Sequence, residues 1–473
     1  MAEKSFDVAV IGGGPAGYVA GIRLGQLGKK AVVIEREALG GVCLNWGCIP
    51  SKALIHAANL VDDVHDFNKF GIKGSLGVDA KELMAWKDGL VDKQKKGIAS
   101  LLKSNECAHI LGSARITSPR SLEVTTKEGV DKLELGQLII ASGAKVIELP
   151  SFKYDGDLVG YARHGVSYDP IPKNLVIIGG GVIGCELGTV YRKLGSTVTI
   201  VEMLDSILPG TDPELVKPVL KRMTKLGIEV ITKAKAEGYE RTGAGAEVKV
   251  TLSSGEAKRI SADKILVAVG FAPNTKDLGL EAAGVKTNAR GWIEVDDVCR
   301  TNVPNIFAAG DVTGPPLLAH RGSKMGEVAA EVIAGKPASF DVRAMPLGVF
   351  TDPEVAQAGL TEAEARARGI DVATGTFPIS ALGRAAAMNH TDGLVKIVAD
   401  KVSDVILGIG IAAPGACDLI AEACLAVEMG ALVEDLALTV HTHPTLSEAV
   451  MEAAKAMHGE AIHILNRRRT RAT

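Results

Sequence analysis

This 473-residue chain lacks long apolar runs, a cysteine framework and any strong charge imbalance, and each absence excludes a class of protein. The longest charge-free stretch, Val8 to Ile22, is broken by glycines and falls short of the roughly 18 apolar residues that read as a membrane span. No transmembrane helix is expected. Met1 gives way to an apolar strand by Phe6, which leaves no room for a signal or transit peptide, so a cytoplasmic protein is expected. Seven cysteines in so long a chain do not make a secreted disulfide framework, and any bridge should be catalytic or redox-sensing. A formal net charge of -3 gives no general electrostatic reason to bind nucleic acid or an anionic membrane. The terminal Arg467, Arg468, Arg469 and Arg471 read as a solvated tail.

What is present describes a soluble globular protein of two to four domains, with 47% apolar and 23% charged residues. The 54 glycines imply tight turns and close backbone approaches to something bound. Phe6 to Ile11 reads as a buried strand, followed by Gly12-Gly13-Gly14-Pro15-Ala16-Gly17, a helical stretch and the strand Ala31 to Glu35. The pattern returns as Leu175 to Ile178, Gly179-Gly180-Gly181-Val182-Ile183-Gly184, a helix and the strand Thr197 to Glu202. Gly12, Gly14, Gly17, Gly21, Gly28 and Glu35 all recur at an offset of 167, as Gly179, Gly181, Gly184, Gly188, Gly195 and Glu202. In such a motif the first glycine permits the turn, the second admits pyrophosphate and the third lets helix pack on strand. The phosphate meets free N–H groups at the helix N-terminus. Two dinucleotide sites follow, with Glu35 and Glu202 placed to accept from a ribose 2′-OH. Glu202 would repel a 2′-phosphate and is followed by Met203 and Leu204, not arginines, so the second site should prefer NAD over NADP. Strand-like segments at Glu247 to Leu252 and Lys264 to Val269 continue this core. From about Met345 the character changes, with a strand at Val395 to Ala399, a helix at Asp418 to Met429 and a loop at His441 to Pro444, which marks a separate C-terminal domain.

Directly after the first ribose-binding acid comes Gly40-Gly41-Val42-Cys43-Leu44-Asn45-Trp46-Gly47-Cys48-Ile49-Pro50-Ser51-Lys52. Ala53 to Val64 looks helical, so both sulfurs sit near a helix N-terminus, where the dipole favours thiolate. In an ideal helix residues five apart have Cα atoms roughly 8.6 Å distant, beyond the roughly 7 Å a disulfide tolerates. The backbone must therefore be irregular, and Gly47 and Pro50 are the expected breakers. The alternatives at this point are a redox pair and two unpaired buried thiols; a metal site lacks a second Cys or His pair with ligand spacing. Cys107, Cys185, Cys299, Cys417 and Cys424 read as buried small hydrophobes.

The GGxCLNxGCIPSK segment, together with two GxGxxG units in this order, resembles the class I pyridine nucleotide-disulfide oxidoreductases, the family of dihydrolipoamide dehydrogenase, glutathione reductase and mercuric reductase. The resemblance covers nearly the whole chain. It implies an α/β fold of two Rossmann-like domains, for FAD and NAD, plus an α+β dimerisation domain. The implied division is 1–150 and 272–344 for FAD, 151–271 for NAD and 345–473 for the interface. Around FAD it places Gly12, Gly14, Gly17, Glu35, Lys52, Gly112, Gly143, Asp311 of Ala309-Gly310-Asp311, and Ala319. Around NAD it places Gly179, Gly181, Gly184, Glu186, Glu202 and Gly270. Lys52 and Glu186 match positions that form an ion pair close to the flavin ring. His441-Thr442-His443-Pro444-Thr445-Leu446-Ser447-Glu448 resembles the catalytic HPTxSE segment, with His443 as acid-base and Glu448 as its partner. Thr445 to Glu448 also fits a helix capping box, and one carboxylate is not expected to fill both roles; the histidine partner is the reading taken. His441 is given no role.

The mechanism implied is attack of a substrate thiolate on Cys43, with Cys48 nearer the flavin, in an obligate homodimer whose histidine comes from the partner subunit. Dihydrolipoamide is the expected substrate, carried by the lipoyl proteins of 2-oxoacid dehydrogenase or glycine cleavage complexes. No cysteine follows Cys424, which disfavours a mercuric reductase, and Glu202 disfavours a glutathione reductase. A non-catalytic FAD-binding subunit is the alternative from a different class. One departure stands out: Gly270-Phe271-Ala272-Pro273-Asn274 has Phe and Ala where relatives commonly show GRxPN, which puts the local nucleotide contact in doubt.

Overall fold

The computed structural model describes residues 4–466 apart from 75 and 244, with the backbone alone for 65–68. The arginines of the tail lie outside the described residues. Lys4–Ile11 forms a central strand whose second half is buried on both faces: Val8 and Val10 enter one core, Ala9 and Ile11 the other. It pairs in parallel with Ala31–Glu35 on one side and Val130–Ile140 on the other. Ala108–Leu111 extends the sheet beyond Ala31–Glu35, and an antiparallel pair, Ser113–Ser118 and Ser121–Thr125, extends it beyond Val130–Ile140. Ile306–Ala308 returns from far along the chain to join Val130–Ile140 in parallel. The Pro15–Gln26 and Ala319–Ile333 helices pack together against one face.

The second sheet repeats the plan with five parallel strands in the order Glu229–Ile231, Thr197–Val201, Asn174–Ile178, Lys264–Val267 and Val159–Tyr161. Its helix, Val182–Lys193, follows the second glycine turn. A three-stranded antiparallel sheet, Lys235–Thr242 with Gly245–Thr251 and Ala257–Ala262, is appended. In both parallel sheets the glycine turns lie at the carboxyl ends of the strands, the edge of such a sheet that holds ligands. The C-terminal part is a five-stranded antiparallel sheet covered by the Ala416–Met429 and Glu448–His458 helices. It leaves Leu425, Met429, Leu438 and Val440 between 63% and 92% exposed. Large apolar side chains left open to water in this way mark a protein contact.

Two sequence expectations change here. The cysteine helix begins at Cys48, not Ala53, and runs to Asp66. Pro50 stands at its third residue and does not break it, because an N–H there has no intrahelical acceptor to lose. The break falls on Gly47 alone, with φ -116 and ψ -110.

Candidate active site

The two glycine turns are built alike down to their hydrogen bonds. Gly13 N–H donates to Glu35 Oε2 at 2.7 Å, and 167 residues on Gly180 N–H donates to Glu202 Oε2 at 2.6 Å. Each carboxylate's other oxygen accepts from the N–H two residues further along, of Glu37 and of Leu204. Gly12 and Gly179 have φ of +105 and +110, closed to most side chains. A Cβ on Gly17 would stand 1.8 Å from the Gly12 carbonyl oxygen, and one on Gly184 2.0 Å from that of Gly179. The N-caps Gly14 and Gly181 carry no capping side chain, so the first N–H groups of both helices remain open to an anion.

Around the first turn gather most of the residues placed there by sequence. Gly12 lies against Ala141 and Ser142, next to Gly143; Gly112 N–H donates to Glu35 O; Gly310, beside Asp311, packs on Ala16; and the Ala319–Ile333 helix meets the same surface through Gly322. Burial pushes the Asp311 carboxyl up, and Arg321 offsets part of that. The Ser142 hydroxyl is buried without a hydrogen-bond partner. At the second turn Met203 and Leu204, which directly follow Glu202, are 69% and 46% exposed.

Gly41–Trp46 forms a short helix, Gly47 turns the chain, and Cys48 opens the long helix. A Cβ at Gly47 would lie 2.9 Å from the Val42 carbonyl oxygen, so only glycine lets the chain fold back this tightly. The fold-back brings the two thiols close enough for each to act on the other's ionisation. They are unequal: the shared hydrogen bond and burial push Cys43 up, whereas the bond from Cys43 and the charge of Lys52 pull Cys48 down. Cys48 also occupies the first position of its helix, where the dipole favours an anion. Gly41 packs on Gly14, which puts the dithiol segment beside the first nucleotide turn.

One turn along the helix from Cys48, Lys52 Nζ lies 2.8 Å from Glu186 Oε2 of the second nucleotide helix. The Lys52 ammonium also sits 4.4 Å from the centre of the Phe350 ring, and Phe350 N–H donates to Glu186 Oε1 at 2.9 Å. Phe271, the departure noted above, spends its ring on Trp46, stacked at 6.5 Å with 20° between planes. The Arg163 guanidinium lies 5.9 Å from the same indole and is tied to Glu37.

In the C-terminal part His443 is 77% exposed at its side chain, and its Nδ1 lies 2.9 Å from Glu448 Oε1. Thr445 N–H donates to Glu448 Oε2 at 2.8 Å. The expectation that one carboxylate could not serve both histidine and backbone is therefore wrong: the two oxygens divide the tasks. Burial acts to raise the Glu448 carboxyl, but the Thr445 N–H and His443 hold it below the usual range. His443 makes no hydrogen bond or ion pair to either cysteine of its own chain among the described residues.

These features meet a family model, "Pyridine nucleotide-disulphide oxidoreductase", matched by residues 6–326, and its dimerisation domain, matched by residues 345–454. The chain belongs to that family. Among curated proteins it is similar to the dihydrolipoyl dehydrogenase of Halobacterium salinarum, 46% identical over 98% of both chains. It is also similar to that of Thermus scotoductus, 47% identical over 98% of this chain and 100% of the relative. Among solved structures it resembles LpdA from Mycobacterium tuberculosis, with a TM-score of 0.88 and 28% identity over 96% of this chain and 99% of that one. The HOCl-induced flavoprotein disulfide reductase RclA from Escherichia coli superposes with a TM-score of 0.85 at 26% identity, over 95% and 99% of the two chains.

Several residues at the site escaped the sequence. Phe350 and Tyr18 are two: burial, and next to it the charge of Cys43, push the Tyr18 phenol up. His441, given no role, is 6% exposed, with Nε2 2.9 Å from Glu422 Oε1 and Nδ1 2.9 Å from the Thr439 carbonyl oxygen. Of the five remaining cysteines, Cys107, Cys185 and Cys299 are buried as expected, but Cys417 and Cys424 are only half-buried. Among the described residues no cluster of His, Cys, Asp and Glu could hold a metal ion, and no helix is long and apolar enough to cross a membrane.

Proposed function

We propose that this chain is a flavoprotein oxidoreductase that converts dihydrolipoamide to lipoamide with NAD+, through a Cys43–Cys48 dithiol. The observation that carries the reading is the unequal thiol pair at a helix N-terminus, one turn from a half-buried Lys52–Glu186 ion pair. Identity above 45% with dihydrolipoyl dehydrogenases over essentially the full chain supports the substrate class.

The residues fit two dinucleotides. Two uncapped helix N-termini, an orphaned Ser142 hydroxyl and a half-buried Asp311 carboxyl all seek partners of the kind a diphosphate, ribityl chain and ribose provide. Gly12, Gly14, Gly17, Glu35, Lys52, Gly112, Gly143, Asp311 and Ala319 would hold FAD; Gly179, Gly181, Gly184, Glu186, Glu202 and Gly270 would hold NAD. Bound FAD supplies the two-electron relay between the dithiol and the nicotinamide.

The protein's own groups do the thiol chemistry. His443, oriented by Glu448, takes the proton from one substrate thiol, and the resulting thiolate attacks Cys43 Sγ of the oxidised pair. The Cys43–Cys48 bond breaks and Cys48 leaves as a thiolate, which Lys52 and the helix dipole favour. The second substrate thiol, deprotonated in turn, attacks the substrate sulfur bonded to Cys43; the lipoyl disulfide closes and Cys43 is released as the proton acceptor. Because His443 is exposed and bound to neither cysteine, we place one copy's His443 at the other copy's Cys43 in a homodimer, with 345–473 as the interface. Residues 1–150 and 272–344 would form the FAD domain and 151–271 the NAD domain. The substrate would arrive on lipoyl-carrying proteins of 2-oxoacid dehydrogenase or glycine cleavage complexes, in the cytoplasm.

The test is an anaerobic titration of the purified holoenzyme with dihydrolipoamide, followed by NAD+. A long-wavelength absorbance from a thiolate beside the flavin, then formation of NADH, is expected. Reduction only by NADPH with a different disulfide would overturn the substrate assignment.

A further inference from the structure

The two helices that carry the Lys52–Glu186 pair run side by side and touch at two levels. Seven residues beyond Lys52 is Asn59, and seven beyond Glu186 is Lys193, whose Nζ donates to Asn59 Oδ1 at 2.9 Å. The partners at both levels are separated by the same 134 residues, so the helices lie parallel and in register. Seven residues make two turns, about 10.5 Å of rise, and return each side chain to the same face. The polarity reverses between levels: the first lysine comes from the cysteine helix, the second from the nucleotide helix.

The second level is a cluster of charges. Lys193 lies 3.1 Å from Asp62 and 2.8 Å from Asp352. Arg222 Nε lies 2.8 Å from Asp352, and its guanidinium also binds Asp62. All four side chains are at most 18% exposed, and each cation meets both carboxylates. Burial would raise the Asp352 carboxyl, but Lys193 and Arg222 hold it below the usual range. Asp352 follows Phe350 by two residues, and Phe350 grips the first level through its N–H and its ring. One short loop is thus clipped to both levels.

We propose that Asp352, with Lys193 and Asn59, is a positioning set: it fixes the 350–352 segment and the helix spacing so that Glu186 holds Lys52 where it stabilises the Cys48 thiolate. The helices are joined independently by an apolar core that includes Leu54, Ala58, Leu187 and Val190, so loss of the second level should loosen the first without separating the helices. This rests on Cys48 as the internal thiolate, and the test reads that thiolate without turnover, so its failure leaves the substrate assignment untouched.

In holoenzyme carrying Cys43→Ser, which keeps a hydroxyl donor beside Cys48, the iodoacetamide alkylation rate at Cys48 is followed against pH by peptide mass spectrometry. Adding Asp352→Asn or Asn59→Ala should lower the neutral-pH rate about three- to ten-fold and move the midpoint upward, with flavin content and dimer elution unchanged. With Glu186→Gln already present, the same substitutions should change the rate by less than about twofold, because the group they act through is gone. Unaltered Cys48 rates in the folded variants, or a full effect in the Glu186→Gln protein, would overturn the proposal. If Asp352→Asn does not fold, Asn59→Ala decides, since it removes no charge.

Discussion

Replacing Glu448 by glutamine tests the division of labour between its two oxygens. One accepts from Thr445 N–H at 2.8 Å and the other meets His443 Nδ1 at 2.9 Å, so two donors converge on one carboxylate. A glutamine offers one acceptor and one donor. If its oxygen stays on Thr445, the amide N–H faces Nδ1 and forces the proton onto Nε2, where the ring can no longer take a proton from substrate. If the amide turns round, its NH2 opposes the Thr445 N–H, and an orphaned donor costs about 1–3 kcal/mol. Either way the charge-assisted bond to the imidazolium is lost, about 1.5–3 kcal/mol, or roughly 10- to 150-fold in rate. The expected outcome is a loss of that size in kcat/KM for dihydrolipoamide, while NADH-driven dye reduction, which bypasses the histidine, stays within about twofold. Glu448→Asp, which keeps both acceptors on a shorter arm, should lose less. Lipoamide activity within about twofold of the parent would refute the reasoning and leave Glu448 a helix cap, whereas equal loss in both assays would point to damage of the fold.

Glu202, with Met203 and Leu204 after it, should give a higher kcat/KM with NADH than with NADPH, and the reverse order would contradict the assignment of the second site. Lys396, 5% exposed and within 3.0 Å of Asp212, Glu214 and Glu362, should destabilise the protein by about 2–4 kcal/mol when changed to Met, less than in a fully enclosed site because Glu214 is 44% exposed. Burial would lower its ammonium, but the three carboxylates hold it above the usual lysine range. Its contribution is therefore complete below about pH 10.4 and is lost only as pH rises through the higher folded value, so melting curves of parent and Lys396→Met should keep their separation from pH 7 to about 9. Gly17→Ala, whose Cβ would stand 1.8 Å from a carbonyl oxygen, should yield a protein that purifies without flavin colour. Gly89→Ala, in the open on the Ala80–Ser104 helix, should instead raise stability by up to about 1 kcal/mol in chemical denaturation.

What the sequence could and could not reveal follows from the range of each interaction. The glycine turns were legible because their chemistry is local: the motif, the strand before it and the acid 22 residues on form one βαβ unit, and the repeat at 167 supplied a second copy. Gly47 was legible for the same reason, since two cysteines five apart cannot meet on a helix. Pro50 was misread because its neighbours look alike whether it breaks a helix or opens one; only the position of the N-terminus separates the two. The division of Glu448 between histidine and backbone was hidden because one glutamate ends both the i, i+3 spacing of a capping box and the i, i+5 His–Glu spacing, and only the two oxygen positions show that it meets His443 and the Thr445 N–H together.

The residues that escaped altogether join elements distant in sequence. Phe350 reaches Glu186 across 164 residues and Lys193 reaches Asp352 across 159, separations at which neither periodicity nor motif carries a signal. The contrast between the two turns makes the same point. Their backbone hydrogen bonds are superimposable at an offset of 167, yet after Glu35 the chain runs on to the two cysteines and after Glu202 to Met203 and Leu204. The duplicated unit therefore fixes where a diphosphate can lie, and the segments that follow each acid decide what chemistry meets it. In the function proposed above, that chemistry is completed from outside both units, by a loop near residue 350 that binds Glu186 and an exposed histidine, His443, paired with Glu448. Moving either should alter thiol reactivity while both turns remain able to hold their dinucleotides.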